Sequence, residues 1–426
     1  MTSKKQLKAR IRERMAKTGE SYTTARTHLL GKAETHADGG WRFVGGHHPS
    51  SAAITAILAN QGVAISEPLV FLAGGGIGAG YILWEFQHDQ TRHVTLGFRN
   101  QWQYYNRWMD KTLTRLGVPY EEHTTGGARG ASDRLAEELD AGRPCVILPD
   151  RYHIGYWRLP AALDGHGGHP VVAYRRDENG VYIDDRGQAT LLVPRDRVDA
   201  ARARVGSYKN VTHVLGDTVL DEAALASAAR EGLRDCAGHL SAASDSFSLP
   251  AWRKWARLLT DTRNAKAWPK VFADGRGLAG ALLSVWEGVE PVGMDGGNLR
   301  DLFAGSLDEA ADLVGEPRLS GLAGRFREIH AMWHDLAEAA LPASVPEFAR
   351  ARELTAAIRE SVLAEGSAGG AQAAAAGEEL WRLRAQADRS APAGDLAGLF
   401  AELGTRVGAI YQAESAAIAE LAALVR

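Results

Sequence analysis

The sequence predicts an α+β protein whose second half is all helix. Three observations carry that reading. Helical patterns occupy residues 40–141 and strand-like runs follow as a block over residues 145–193, an order that suits an antiparallel sheet beside helices rather than a doubly wound parallel sheet. The turn Asp177-Glu178-Asn179-Gly180 joins two of those runs as a hairpin. Beyond residue 216 almost no strand signal remains, and Ala, Leu and Arg dominate.

The elements follow in order. Residues 1–34 form a small basic arm, with nine Lys and Arg against three Glu. A helix is expected from Lys4 to about Lys17, a break at Thr18-Gly19-Glu20, and a second helix capped by Ser21. Such charge is read first as a solvated helical hairpin, and second as a contact for nucleic acid or another acidic partner. Residues 40–215 form the α+β domain. It opens with a helix over Ser50–Gln61 that presents Ile54, Ile57 and Leu58 on one face and stops at Gly62. A second helix is expected over Asn100–Leu116. Its spacing puts Trp102 and Tyr105 in the core and Tyr104 and Trp108 at the rim. A third covers Ala131–Ala141, and strands are expected at Cys145–Leu148, Pro170–Tyr174, Gly180–Ile183 and Thr190–Val193.

Residues 216–426 read as a helical domain. Trp252, Trp255, Trp268 and Trp286 are expected to pack inside it. Leu396, Leu399, Leu403, Val407, Ile410, Ala417, Leu421 and Leu424 recur at helical spacing behind Asp395, a capping residue type. The run Gly366–Gly377, GSAGGAQAAAAG, is expected to be a loop or mobile linker.

Composition excludes several classes. The 426 residues carry a formal net charge of −3, so bulk electrostatics do not favour nucleic acid. Two distant cysteines, Cys145 and Cys236, exclude a disulfide scaffold, a cysteine zinc site and an iron–sulfur cluster. No run approaches the roughly 18 apolar residues that a membrane span needs. The most apolar early stretch, Glu67–Phe86, is cut by five glycines. A cytoplasmic protein with no membrane partner is expected.

Three segments carry candidate chemistry. Ala73–Gly80, AGGGIGAG, nominally fits a dinucleotide fingerprint through Gly74, Gly76 and Ala79. However, Arg92-His93-Val94-Thr95 stands where the ribose-binding acid belongs. Close backbone packing, or a loop admitting a substrate to the main chain, is the better reading, and no cofactor is expected. Gly45-Gly46-His47-His48-Pro49-Ser50-Ser51 opens the first helix. A helix N-terminus favours negative charge, holds oxyanions and keeps an imidazole such as His48 neutral. The plainer alternative is that Ser50 or Ser51 is only a cap. Third, His166-Gly-Gly-His169 begins one strand and Asp184-Asp185 ends the next, so a hairpin brings His169 and Asp185 together. The alternative is a surface histidine and a turn aspartate. Together these segments follow the chain order of a papain-like site: nucleophile, His, then Asp or Asn. His47, His48, His166, His169 and Asp185 could also converge on a metal. Adjacent histidines in extended chain point to opposite sides, so no metal site is expected.

The stretches GGHHPSSAAITAILANQG, ISEPLVFLAGGGIGAGY, PCVILPDRYHIGY and GHGGHPVVAYRRDENGVYIDDRG resemble, in order, the N-terminal domain of the butirosin biosynthesis protein H family, a papain-like fold. GMDGGNLRDLFAGSLDEAADL resembles the helical domain that often follows it. The resemblance implies an acyltransferase of secondary metabolism. It would move an acyl group from a carrier-protein or pantetheine thioester to an amine, with an acyl carrier protein and a small amine acceptor as partners. By motif position His169 is the general base and Asp185 its orienting carboxylate. His47, Gly75, Gly76 and Tyr152 fall in the matching stretches as expected substrate-binding residues. The Asp295-Gly296-Gly297-Asn298 turn is expected to close over the cleft.

One departure matters. The family pattern at the helix start is Gly-x-His-Cys, and here His48 stands at the cysteine position. Three readings follow. His48 and His169 act as bases with no covalent step; or Ser50 substitutes as nucleophile; or the chain is a non-catalytic relative that keeps the cleft for binding. A regulatory role through the basic arm is a further alternative.

Overall fold

The computed structural model describes residues 37–86, 91–165, 167–293, 295–389 and 395–425. Residues 38–426 form one compact unit. The basic arm and His166 lie outside the described residues.

The short strand Trp41–Arg42 precedes helices α1 (Pro49–Asn60) and α2 (Glu67–Ala73). A two-stranded antiparallel ribbon, β1 (Tyr81–Glu85) and β2 (Arg92–Leu96), follows them. Next come α3 (Tyr105–Leu116), β3 (Tyr120–Thr124), α4 (Ala128–Asp140), β4 (Cys145–Ile147) and the one-turn α5 (Arg151–Ile154). The hairpin of β5 (Val171–Asp177) and β6 (Gly180–Asp184), then β7 (Leu191–Val193), α6 (Arg195–Arg204) and β8 (Val211–Leu215), complete this half. Six strands join in the order β3-β8-β4-β5-β6-β7, every neighbour antiparallel. The hairpin turn is set by Asp177, whose Oδ1 accepts the Asn179 N–H at 2.8 Å.

The second half is helical: α7 (Glu222–Leu240), α8 (Pro250–Thr260), α9 (Trp268–Val271), α10 (Leu278–Val289), α11 (Arg300–Val314), α12 (Arg318–Ala340), α13 (Pro346–Glu365), α14 (Gly370–Ala387) and α15 (Leu396–Leu424). One apolar cluster runs from Val171 and Ile183 through Ile77 and Phe98 to Trp252 and Trp333, so the two halves share a core. Asp395 caps α15, accepting the Gly398 N–H at 2.9 Å. The four expected packing tryptophans are buried. Among the described residues no helix is long and apolar enough to cross a membrane.

Several expectations need correction. Gly366–Gly377 is not a loop: a 3₁₀ turn leads directly into α14. Its alanines favour helix, and its glycines permit contact rather than motion. A Cβ on Gly366 would lie 2.2 Å from the Thr190 carbonyl oxygen, and one on Gly369 2.4 Å from that of Ser361. Helix α3 begins at Tyr105, not Asn100, which leaves Trp102 in the preceding turns. Trp108, expected at the rim, is fully buried, while Tyr104 is exposed. The glycine run after α2 is a packing device, as read. A Cβ on Gly74 would lie 2.3 Å from the Trp108 indole, and one on Gly78 2.0 Å from the Arg99 carbonyl oxygen.

Candidate functional site

The first part of the site is the N-terminus of α1. His48, not Ser50 or Ser51, is the cap: its Nδ1 accepts the Ser51 N–H at 3.3 Å and lies 3.0 Å from Ser51 Oγ. Glu67, at the start of α2, clamps this segment. Its Oε2 accepts from His47 N at 2.9 Å, and its Oε1 accepts from His48 N at 2.8 Å and Ser51 Oγ at 2.9 Å. The His48 ring packs edge-on against Phe71 and Trp108, with centroids 5.4 and 5.5 Å away. Burial, then the Arg99 and Arg186 guanidinium charges, hold this imidazole well below its usual 6.5, so it is neutral.

The second part is the β5–β6 hairpin. Val172 pairs with Asp184, which places His169, just before β5, opposite Asp185, just after β6. His169 Nε2 lies 2.9 and 3.0 Å from the two Asp185 oxygens, and both side chains are fully buried. Asp185 Oδ2 also accepts from Trp157 Nε1 at 2.9 Å and Tyr156 OH at 3.0 Å, and Arg186 Nε lies 3.3 Å from Oδ1. Burial alone would raise the Asp185 pKa, but His169, Arg186 and Tyr156 hold it far below the carboxylate range. Its neighbour Asp184 accepts instead from Trp41 Nε1 at 3.0 Å, and burial pushes it up to about 7. Asp185 is therefore the ionised member of the pair. An ionised carboxylate can only accept, so the network assigns the ring proton of His169 to Nε2. Burial, against the pull of Asp185, keeps His169 below 6.5. Its Nδ1 is buried and has no hydrogen-bond partner. The result is a neutral imidazole, oriented by a carboxylate, with a free lone pair.

Arg186 links the two parts: its Nη1 donates to the His47 carbonyl oxygen at 2.7 Å while its Nε meets Asp185. A turn from the helical half lies over them. Gly296, at φ +86°, approaches so closely that a Cβ would fall 2.2 Å from the His47 carbonyl oxygen and 3.3 Å from His48 Cα. Asp295, beside it, pairs with Arg151 of α5.

Residues 48–186 match the family described as Butirosin biosynthesis protein H, N-terminal, and residues 196–368 match Domain of unknown function (DUF4872). The chain belongs to the butirosin biosynthesis protein H-like family. None of the curated proteins matches it. The butirosin protein H match begins at His48 and ends at Arg186, the two ends of the site, whereas residues 369–426 lie beyond both matches.

Within this butirosin protein H-like chain the expected site residues part into two groups. His47, His48, His169 and Asp185 are gathered by Arg186 and Glu67. Ser50 is buried on α1 and is not hydrogen-bonded to His169, whose Nδ1 has no partner. Gly75 packs against Asn100 and Asp235, and Gly76 against Phe303, inside the core. Tyr152 is half-buried on α5, edge-on to the His153 ring at 5.2 Å. The described residues grouped closely enough to hold an ion are Asp150, His153 and Asp164, none of them in the expected set. They already satisfy one another: His153 Nε2 lies 2.9 Å from Asp164 Oδ1, which also accepts from Arg204 at 2.6 Å, and Asp150 accepts the His153 and Gly165 N–H groups. The supporting residues Glu67, Tyr156, Trp157 and Arg186 escape a reading of the sequence. Only Arg186, adjacent to Asp185, had a local cue. Both cysteines are free and buried, and burial raises both thiols, Cys145 to about 12. Neither is poised as a nucleophile.

Proposed function

We propose that this chain is an acyl-transfer protein that works without a covalent cysteine step. In this reading a thioester binds beside His48 and a primary amine attacks its carbonyl carbon. The C–N bond forms, the C–S bond breaks, and His169 Nδ1 takes the amine proton and returns it to the departing thiolate. Asp185 orients the imidazole and stabilises its cation. The papain-like arrangement is part of the proposal: a helix N-terminus faces a histidine and a carboxylate held on neighbouring strands. An acyl carrier protein and a small amine are the proposed partners. The observation that carries the reading is the buried, unpartnered Nδ1 of His169, whose opposite nitrogen is held by Asp185. The absence of a Ser50–His169 hydrogen bond speaks against a serine nucleophile.

The test is thiol release from acyl-pantetheine and acyl-carrier thioesters, with and without amines, in wild type and His169→Ala. Amine-dependent release lost in His169→Ala supports the proposal. A second reading, a non-catalytic relative that only binds, is favoured by the complete burial of His169. It predicts binding of the same thioesters with no release.

A further inference from the structure

A cavity of about 180 Å³ lies where β7, the loop after α5, and the α13–α14 junction meet. One water needs only roughly 10–15 Å³, and sites for drug-sized ligands run to about 300–1,000 Å³, so the space suits a small molecule. Its walls are of two kinds. Ile154, Leu191, Val193, Val362 and Ala373 form an apolar lining. Arg158 and Arg197 supply the charge, and among the described residues no Asp or Glu lines the cavity.

The two arginines differ. Arg158 Nη2 donates to the Gly370 carbonyl oxygen at 3.1 Å. Arg197 has no hydrogen-bond or ion-pair partner among the described residues, and its guanidinium lies against Gly155 in the cavity wall. A Cβ on Gly155 would come 2.7 Å from Arg197 Nη1. A free guanidinium at the mouth of a partly apolar pocket is complementary to an oxyanion on a short apolar chain, and a planar carboxylate matches its fork.

The cavity is also wired to the His169 network. Tyr156 forms part of its wall and donates its hydroxyl to Asp185 at 3.0 Å. A ligand that shifts Tyr156 therefore changes the carboxylate that orients His169.

We propose that this cavity binds a small organic carboxylate, its chain against Leu191, Val193, Val362 and Ala373 and its carboxylate on Arg197. The inference does not depend on acyl transfer, because a non-catalytic chain would bind the same ligand. The experiment titrates hexanoate, hexanol and hexylamine into the full-length protein by calorimetry. It compares wild type with Arg197→Glu, a change at an exposed side chain, and Ala373→Leu, which fills the cavity. Saturable hexanoate binding, at least tenfold weaker in both variants and at least tenfold tighter than hexylamine, is expected. Hexanoate should also shift the imidazole resonances of His169. Failure of hexanoate to bind at concentrations up to about 10 mM, equal binding of hexanoate and hexylamine, or unchanged binding in Arg197→Glu would each overturn the proposal.

Discussion

Glu414→Gln is expected to cost this protein about 3–5 kcal/mol, although Glu414 lies beyond both family matches. The magnitude follows from its surroundings. Glu414, on α15, and Arg300, at the start of α11, are fully buried. The carboxylate accepts four hydrogen bonds: from Arg300 Nε at 2.8 Å and Nη2 at 2.9 Å, from Trp252 Nε1 at 3.0 Å and from Trp333 Nε1 at 2.8 Å. Glutamine has the same shape, but its amide nitrogen would face two of those donors and its neutrality would leave the guanidinium unpaired. Arg300 also donates to the carbonyl oxygens of Asn298 at 2.8 Å and Gly78 at 3.0 Å. The same pair therefore anchors the turn over His47–His48 and the glycine run. Urea unfolding followed by tryptophan fluorescence reads the loss. Replacing the pair together, Arg300→Met with Glu414→Leu, should recover much of it, because no charge is then left alone. A loss below about 1 kcal/mol in Glu414→Gln would refute the reasoning.

Two further predictions concern the site. Gly296→Ala should destabilise more than Gly315→Ala: both positions have positive φ, +86° and +72°, but only at Gly296 would the Cβ meet backbone, at 2.2 Å, while Gly315 faces open space. The second change should cost about 1–2 kcal/mol and the first clearly more, by urea midpoints. The buried histidines set a pH dependence. His48 and His169 are held below the 6.5 of the unfolded chain, so their contribution is full above pH 6.5 and is lost as pH falls below it, when only the unfolded chain takes up the protons. With both sites counted their share of the slope reaches about 2.7 kcal/mol per pH unit. His213, His239 and His330 are also held below 6.5 by burial. A His48→Asn, His169→Gln double variant should therefore lessen the slope by that share in urea titrations between pH 7 and 5, without abolishing it.

What the sequence revealed, and what it hid, has a physical basis. The His169–Asp185 pairing was legible because the Asp177–Gly180 turn sets the hairpin register, and a register carries two distant residues to a common edge. The helix behind His48 was legible from Ile54, Ile57 and Leu58, and α15 from its spacing and its Asp395 cap. Strand β3, Tyr120–Thr124, was missed because it reads Tyr-Glu-Glu-His-Thr, an edge strand with a polar face. Strand β8 was missed although all five of its residues are buried. Trp108 was misplaced because α3 begins five residues later than its pattern suggested, and the glycine at position 74 makes room for its indole. The helix in Gly366–Gly377 was hidden because glycine-rich composition marks both mobile linkers and close packing. The supporting shell was hidden for a different reason: Glu67, Tyr156 and Trp157 reach the site only through tertiary contacts 16 to 29 residues apart in sequence.

Acyl transfer without a cysteine requires His169 to be a neutral base with its proton on Nε2 and a free lone pair on Nδ1. Nitrogen NMR of 15N-histidine-labelled protein, with the His169 signals assigned by their loss in His169→Gln, tests it directly. An unprotonated Nδ1 and a protonated Nε2 are expected at pH 7, with the ring staying neutral as the pH falls past 6.5. A proton on Nδ1, or a cationic ring at pH 7, would contradict it.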